Sequence, residues 1–207
     1  MKEPTVIADA SVIEQIQAGE KQRFELLIRK YNQRLYRIGM SILADPDETQ
    51  DAMQTAYIHA YERLGKLEHP AYFGTWLTRI MLNQCLEQKR KSSYHSNTEI
   101  SHNDINMKTP ANELINKELS QILENAIAQL PEKYRLVFVL REIEAMTIRE
   151  TSDTLSIQEV NVKVRLNRAK AMLRQSLQGY MKDSVYSFHL SRCDRVVNYV
   201  MNHLGIS

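Results

Sequence analysis

The chain has 207 residues, with 27 Lys and Arg against 25 Asp and Glu and a formal charge of +2 at pH 7, enough for one large or two small domains with modest cores. Its two cysteines, Cys85 and Cys193, are too few for a disulfide framework. There is no secretory leader pattern and no apolar run of bilayer length, so a soluble protein of the reducing cytoplasm, without membrane insertion, is expected.

Near-neutral charge conceals segregation. Asp45, Asp47, Glu48 and Asp51 crowd one stretch while Lys89, Arg90 and Lys91 stand together in another, and local basic patches matter more for phosphate binding than the total. Gly and Pro are sparse and β-branched alternation is absent, so the expected class is all-α. From Phe24, the positions Leu27, Ile28, Tyr31, Leu35, Ile38 and Ile42 recur at helical spacing and mark one long amphipathic helix. Asp45-Pro46-Asp47 ends it, and Pro46 suits the first turn of the next. That second helix turns Met53, Ala56, Tyr57, Ala60, Tyr61 and Leu64 inward and leaves Asp51, Gln54, Thr55, Ile58 and Glu62 outside. An apolar Ile58 among polar neighbours points to a protein partner, although a solvated face with helix-capping carboxylates accounts for the acids equally well. Residues 65–71 form a loop. A third helix is predicted over residues 72–91, with Phe73, Trp76, Leu77, Ile80 and Met81 inward and Arg79, Asn83 and Arg90 along one outer stripe.

Residues 92–111 are polar and aperiodic, as in a flexible linker. Helicity resumes with Leu114, Ile115, Leu119, Ile122, Leu123 and Ile127, and Pro131 opens a helix carrying Tyr134, Val137, Phe138 and Leu140. Thr147 and Glu150 have capping-box spacing, after which Ile148, Thr151 and Leu155 share a face and a turn falls near Ser156 and Ile157. In the helix beyond, Val162, Leu166, Ala169 and Leu173 point one way and Lys163, Arg165, Asn167, Arg168, Lys170 and Arg174 cover the rest. A charge run alone is usually a solvated face. Here it lies on the second helix of a helix-turn-helix, where entry into the DNA major groove requires it.

Thirty-odd residues follow. Val185, Phe188, Val196, Val197, Val200 and Leu204 predict an amphipathic helix over 185–204 that packs on one of the domains and keeps the free protein compact. His189 and Cys193, with His203 further on, do not close a tetrahedral site, so no metal is expected. No cofactor is expected. No nucleophile–base pairing or phosphate loop appears either, and an enzyme is not expected.

The whole layout resembles a sigma factor of bacterial RNA polymerase, of the sigma-70 family and its extracytoplasmic-function (ECF) group. The resemblance rests on FELLIRKYNQRLYRIGMSIL, DPDETQDAMQTAYIHAY and YFGTWLTRIMLNQCLEQKRK in the first half, then on LPEKYRLVFVLREIEAMTIRETSDTLS and VNVKVRLNRAKAMLR. It covers roughly residues 24–177 in the family's order. It implies two helical domains on a flexible linker: residues 1–91 (region 2-like), the linker 92–111, residues 112–178 (region 4-like, with the helix-turn-helix), and a helical extension 179–207. It implies that Asp51, Gln54, Thr55 and Ile58 dock on the clamp coiled coil of the largest subunit of core RNA polymerase, beside other core surfaces. It implies that His69, Tyr72, Trp76, Arg79, Asn83 and Arg90 handle the −10 element, with Trp76 as a core support and Lys89 and Lys91 adding charge. Arg141, Lys163, Val164, Asn167, Arg168 and Lys170 would meet the −35 element, Arg141 at a phosphate. Promoter DNA and an anti-sigma factor are the further partners.

This chain departs from the family pattern at named positions. Ser152 stands where Ala is usual and Ser156 where Gly is usual, so Ser156 must accept a positive φ; Ser156 with Glu159 also offers a second capping box. Asn161 and Val164 replace small hydroxyl residues, and Thr55 replaces an acid. The rival reading is a helix-turn-helix regulator that binds an operator without polymerase, which leaves the first domain unexplained.

Overall fold

The computed structural model describes residues 8–95 and 111–184, and from 195 to 203 all but 198 and 202. Among them there is no strand. A short helix, α1 (Asp9–Gln17), precedes the three expected ones: α2 (Phe24–Leu43), α3 (Pro46–Glu62) and α4 (Phe73–His95). The second half contains α5 (Ala111–Ala128), α6 (Glu132–Phe138), a π-helical turn (Val139–Ile143), α7 (Ile148–Leu155) and α8 (Glu159–Ser184).

The helix boundaries follow local chemistry. Ala44 closes α2 in the left-handed region at φ 56°. The Asp45 carboxylate then accepts the backbone N–H of Glu48 at 2.8 Å while Pro46 occupies the first turn of α3, which needs no donor there. The helices α2, α3 and α4 pack mutually around Leu27, Leu35, Ile38, Ala52, Ala56, Ala60, Phe73, Leu77 and Met81. Gly39 makes that approach possible: a Cβ there would lie 2.5 Å from Thr49 Cγ2 and 2.8 Å from Met81 Cε. Tyr57 is buried, and its hydroxyl is satisfied by the Ile28 carbonyl and Asn32 Oδ1, each at 3.1 Å. Burial raises the pKa of this phenol and of Tyr31, which donates to Asp9 and so ties α1 to α2.

Helix α1 has no counterpart among the elements expected from the sequence. It buries Val12, Ile13 and Ile16 against the bundle. Tyr61, expected inside, lies at the margin: its ring packs on Phe24 at 5.1 Å but stays partly exposed, because α3 ends one residue later.

The second half has a small core of its own, in which Ala126 and Leu130 meet Ala169 and Leu173 under Tyr134, Phe138 and Leu177. Leu136, Leu140 and Met146 do not join it. They lie buried in the core of the first half, with Leu155 packed beside them. Burying side chains of this size contributes about 1.5–3 kcal/mol each, so these residues anchor the second half to the first while its own small core stays separate. Polar contacts secure the seam. Arg135 Nε donates to the Ser41 carbonyl at 2.6 Å and its Nη1 to the Ala128 carbonyl at 2.5 Å, covering the C-terminal ends of α2 and α5. Thr75 Oγ1 donates to Glu150 Oε1 at 3.3 Å, and Lys89 pairs with Glu132.

The region expected to be linker is helical at its edges, since α4 runs through His95 and α5 begins at Ala111; residues 96–110 lie outside the described residues. So do residues 185–194, including His189 and Cys193. Residues 195–197 and 199–201 are helical, but Val196, Val197 and Val200 remain 52 %, 50 % and 44 % exposed. At these positions the expected docked stripe is not formed. The physical reason is that apolar surface it could have covered is already covered: Leu136, Leu140 and Met146 are buried in the core of the first half, with α6 and the π-helical turn packed on α2.

Candidate nucleic-acid interface

The helix-turn-helix begins where predicted. Thr147 Oγ1 accepts the Glu150 backbone N–H at 3.1 Å, and Glu150 Oε2 accepts the Thr147 backbone N–H at 2.7 Å. The Thr147 backbone N–H, with the hydroxyls of Thr147 and Thr75 that also donate to it, holds the Glu150 carboxyl below its usual pKa. The turn is left-handed at Ser156, with φ 52° and ψ 45°, and its N–H returns to the Ser152 carbonyl. Ser156 therefore closes α7 and does not cap α8. The second capping box is not made, because a helix N-cap needs extended backbone; the Gln158 carbonyl accepts the first helical bond of α8, from Val162.

Helix α8 turns Val162, Ala169 and Leu173 into the domain. Lys163, Asn167, Arg168 and Lys170 are exposed, and so is Val164 at 42 %. These residues form one accessible face. Two of its cations are oriented from behind. Lys170 Nζ lies 2.9 Å from Glu142 Oε2, and Arg168 Nη1 donates to the Tyr134 hydroxyl at 3.3 Å, which lowers the pKa of that phenol. Arg141 is only partly accessible, and its Nε is buried without a hydrogen-bond partner.

On the first half, the three-residue turn Pro70–Tyr72 leads into α4, with the Tyr72 N–H bonded to the His69 carbonyl and the two rings 6.3 Å apart, edge to face. Tyr72 is 61 % exposed. Trp76 is half-buried against Phe73, with ring centroids 5.9 Å apart, and packs on the core of the bundle. Arg79, Asn83 and Arg90 are exposed on the outer stripe of α4, and Asn83 and Arg90 line a hollow of about 600 Å³ with Leu86, Glu87, Lys89 and Glu132. Separately, Asp51, Gln54 and Ile58 are exposed on α3, with Ile58 at 57 %, while Thr55 is partly covered and its hydroxyl bonds the Asp51 carbonyl. The structure thus presents three surfaces: an aromatic and cationic one on α4, a mixed polar and apolar one on α3, and a cationic one on α8.

Sequence reasoning did not single out Arg34, Arg37, Glu132, Arg135 or Glu144, which join the two halves. In the sequence they look like ordinary charges on the polar faces of amphipathic helices.

The sigma-70 region 2 family model matches residues 27–94 and the sigma-70 region 4 model matches residues 120–173, so each half of this architecture has its counterpart in the expected order. The chain belongs to the sigma-70 family. Within it, the chain falls in the ECF group: it is 28 % identical over 177 residues to the ECF RNA polymerase sigma factor SigW of Bacillus subtilis, covering 80 % of this chain and 95 % of that one. Two solved structures share the fold. One is CnrH in complex with the cytosolic domain of CnrY (TM-score 0.60, 23 % identity, 83 % of this chain and 98 % of that one). The other is the sigma factor RpoE of Bartonella quintana in complex with the anti-sigma factor NepR (TM-score 0.64, 18 % identity, 75 % and 96 %). Because both domains match, the protein is a polymerase-associated, promoter-specific initiation factor and not a free-standing operator-binding regulator.

Proposed function

We propose that the three exposed surfaces divide the work of a sigma factor among them. The face of α3 that carries Asp51, Gln54, Thr55 and Ile58 docks on the clamp coiled coil of core polymerase. The α4 surface, with His69, Tyr72, Arg79, Asn83 and Arg90 over the supporting Trp76, receives the −10 element. Cations there neutralise phosphates, the exposed Tyr72 ring offers a stacking plane to an unstacked base, and the Asn83 amide is suited to hydrogen-bonding a base edge. The α8 face enters the major groove at the −35 element, where Arg168 and Asn167 are the side chains suited to purine edges and Val164 to a thymine methyl. Arg141 and Lys170 serve phosphates. The protein catalyses no covalent step, acts in the cytoplasm and needs no cofactor. Among the described residues, no helix is long and apolar enough to cross a membrane and no cluster suited to a metal ion occurs.

The observation that carries this reading is that the sigma-70 region 2 and region 4 models match the two halves bearing these surfaces, on which Ile58, Tyr72 and the α8 cations stay exposed. A single exposed apolar side chain is ordinary on a protein surface; Ile58 and Tyr72 gain weight because both lie within the residues that the sigma-70 region 2 model matches. Ile58→Glu should abolish co-purification with core polymerase while leaving the helical circular dichroism unchanged. Undiminished binding to core by this variant would remove the α3 face from the proposal.

A further inference from the structure

The π-helical turn Val139–Ile143 ends in an unusual way. The Glu144 N–H bonds the Val139 carbonyl at 2.9 Å, the Met146 N–H bonds the Leu140 carbonyl at 3.0 Å, and Ala145 between them has φ 52°. Turns of this kind recur at functional positions. Here the turn projects Glu144 from the second half onto α2 of the first. Arg34 Nε lies 3.2 Å from one carboxylate oxygen and Arg37 Nη1 3.0 Å from the other, and Arg34 Nη2 also reaches the Glu144 backbone carbonyl at 3.3 Å. The Glu144 side chain is only 7 % exposed. Two guanidinium groups one turn apart thus converge on one oxyanion, a geometry that suits phosphate as well as carboxylate.

The position of this pair gives it meaning. Arg34 stacks over Tyr31 at 5.5 Å, Tyr31 packs on Phe73 at 5.6 Å, and Phe73 on Trp76, so the guanidinium pair adjoins the start of α4, where Tyr72 is exposed. A second acid of the same half, Glu132, sits on Lys89 at the other end of α4. At both places an acidic side chain of the C-terminal half covers cations of the N-terminal half, and Lys89 shares its hollow with Asn83 and Arg90 of the surface assigned above to the −10 element.

We propose that Arg34 and Arg37 form a binding site for a DNA backbone phosphate, and that Glu144 occupies this site in the free protein as an internal substitute for the phosphate. The promoter strand and Glu144 then compete for the same two guanidinium groups. Engaging DNA at this site displaces the Glu144 carboxylate from α2, while the buried Leu136, Leu140 and Met146 keep the two halves together. Docking within one chain needs little intrinsic affinity, because the effective concentration of Glu144 is high. The α3 face is exposed with Glu144 in place, so the protein can meet polymerase while this site is still covered.

The inference rests on the promoter-binding reading, and run-off transcription by the unaltered holoenzyme checks that reading separately. The test uses the full chain and a fluorescein-labelled single-stranded DNA of mixed sequence, with anisotropy measured across a salt series and small-angle scattering on each variant. Glu144→Gln and the double variant Arg34→Gln/Arg37→Gln both break the clasp, and both should keep the scattering radius of the unaltered chain because the buried Leu136, Leu140 and Met146 still hold the halves together. Their DNA affinities should diverge. Glu144→Gln should bind about three- to tenfold more tightly, because the competent fraction rises. The double variant should bind more weakly than the unaltered chain, its salt slope smaller by about 0.7 for each phosphate that it no longer neutralises. A double variant that binds as tightly as Glu144→Gln makes the arginines a clasp only and overturns the phosphate site. Unchanged affinity in both variants, with an active holoenzyme, overturns it equally.

Discussion

Ser152 Oγ donates a hydrogen bond to the Ile157 carbonyl at 2.5 Å, spanning the turn of the helix-turn-helix from the middle of α7 to the residue beyond the left-handed Ser156. Both serines stand where the family pattern expects smaller residues, Ala and Gly. The two departures act in opposite directions. Ser156 carries a steric cost for its positive φ, and the Ser152 hydroxyl offsets part of it by tying down the segment that follows.

Ser152→Ala should therefore destabilise the C-terminal half by about 0.5–1.5 kcal/mol, the usual net contribution of such a bond. Ser156→Gly should stabilise it by up to about 1 kcal/mol by relieving the left-handed strain. Urea unfolding of the full chain, followed by circular dichroism, checks both signs. A stabilising Ser152→Ala contradicts the compensation.

The capping box makes a pH-dependent contribution whose sign follows from Glu150. Its carboxyl is held below its ordinary pKa in the folded protein, chiefly by the Thr147 backbone N–H, so folding favours the ionised form. The resulting stability is present above the unfolded value of about 4.3 and is lost as pH falls through the lower folded value. Thr147→Ala should cost about 1 kcal/mol at neutral pH, and Glu150→Gln less, since much of that carboxylate is solvated. Glu150→Gln should also flatten the acid limb of the stability curve below about pH 4. An acid limb unchanged by this substitution rules out Glu150 as its source.

Much of the fold was legible because the helices signal themselves. Asp45 and Pro46 mark the start of α3, Thr147 and Glu150 that of α7, and the spacing of Val162, Ala169 and Leu173 separates the inner face of α8 from its cationic one. Other features had no such signal. Helix α1 has only Val12, Ile13 and Ile16 over nine residues, and no side-chain cap at its N-terminus. Periodicity shows that Leu140 faces away from water but not which half of the molecule covers it, so its place in the core of the N-terminal half was hidden. The same applies to Val196 and Val200, whose shared face suggested a docked helix although they stay exposed. Arg34, Arg37 and Glu144 gain their significance from a contact across more than a hundred residues of sequence, and no local pattern encodes that.

The recognition face offers a paired test. Arg168→Ala should weaken promoter use by about 1–3 kcal/mol and relax preference at one −35 position if its guanidinium reads a base. Lys170→Ala should weaken all promoters alike and reduce the salt dependence if the ammonium group, now paired with Glu142, meets only phosphate. Transcription across a panel of −35 variants distinguishes these patterns. Unchanged transcription by both variants would remove the α8 face from the interface.

The most direct measurement is run-off transcription with purified core polymerase on genomic fragments, alongside footprinting of the chain alone. Two small domains need the polymerase to fix their spacing on DNA. The holoenzyme should therefore initiate at a restricted set of promoters that core enzyme alone ignores, while the free chain protects none of them. Tight promoter footprints by the free chain, with no change in start sites when it is added to core, would contradict the account.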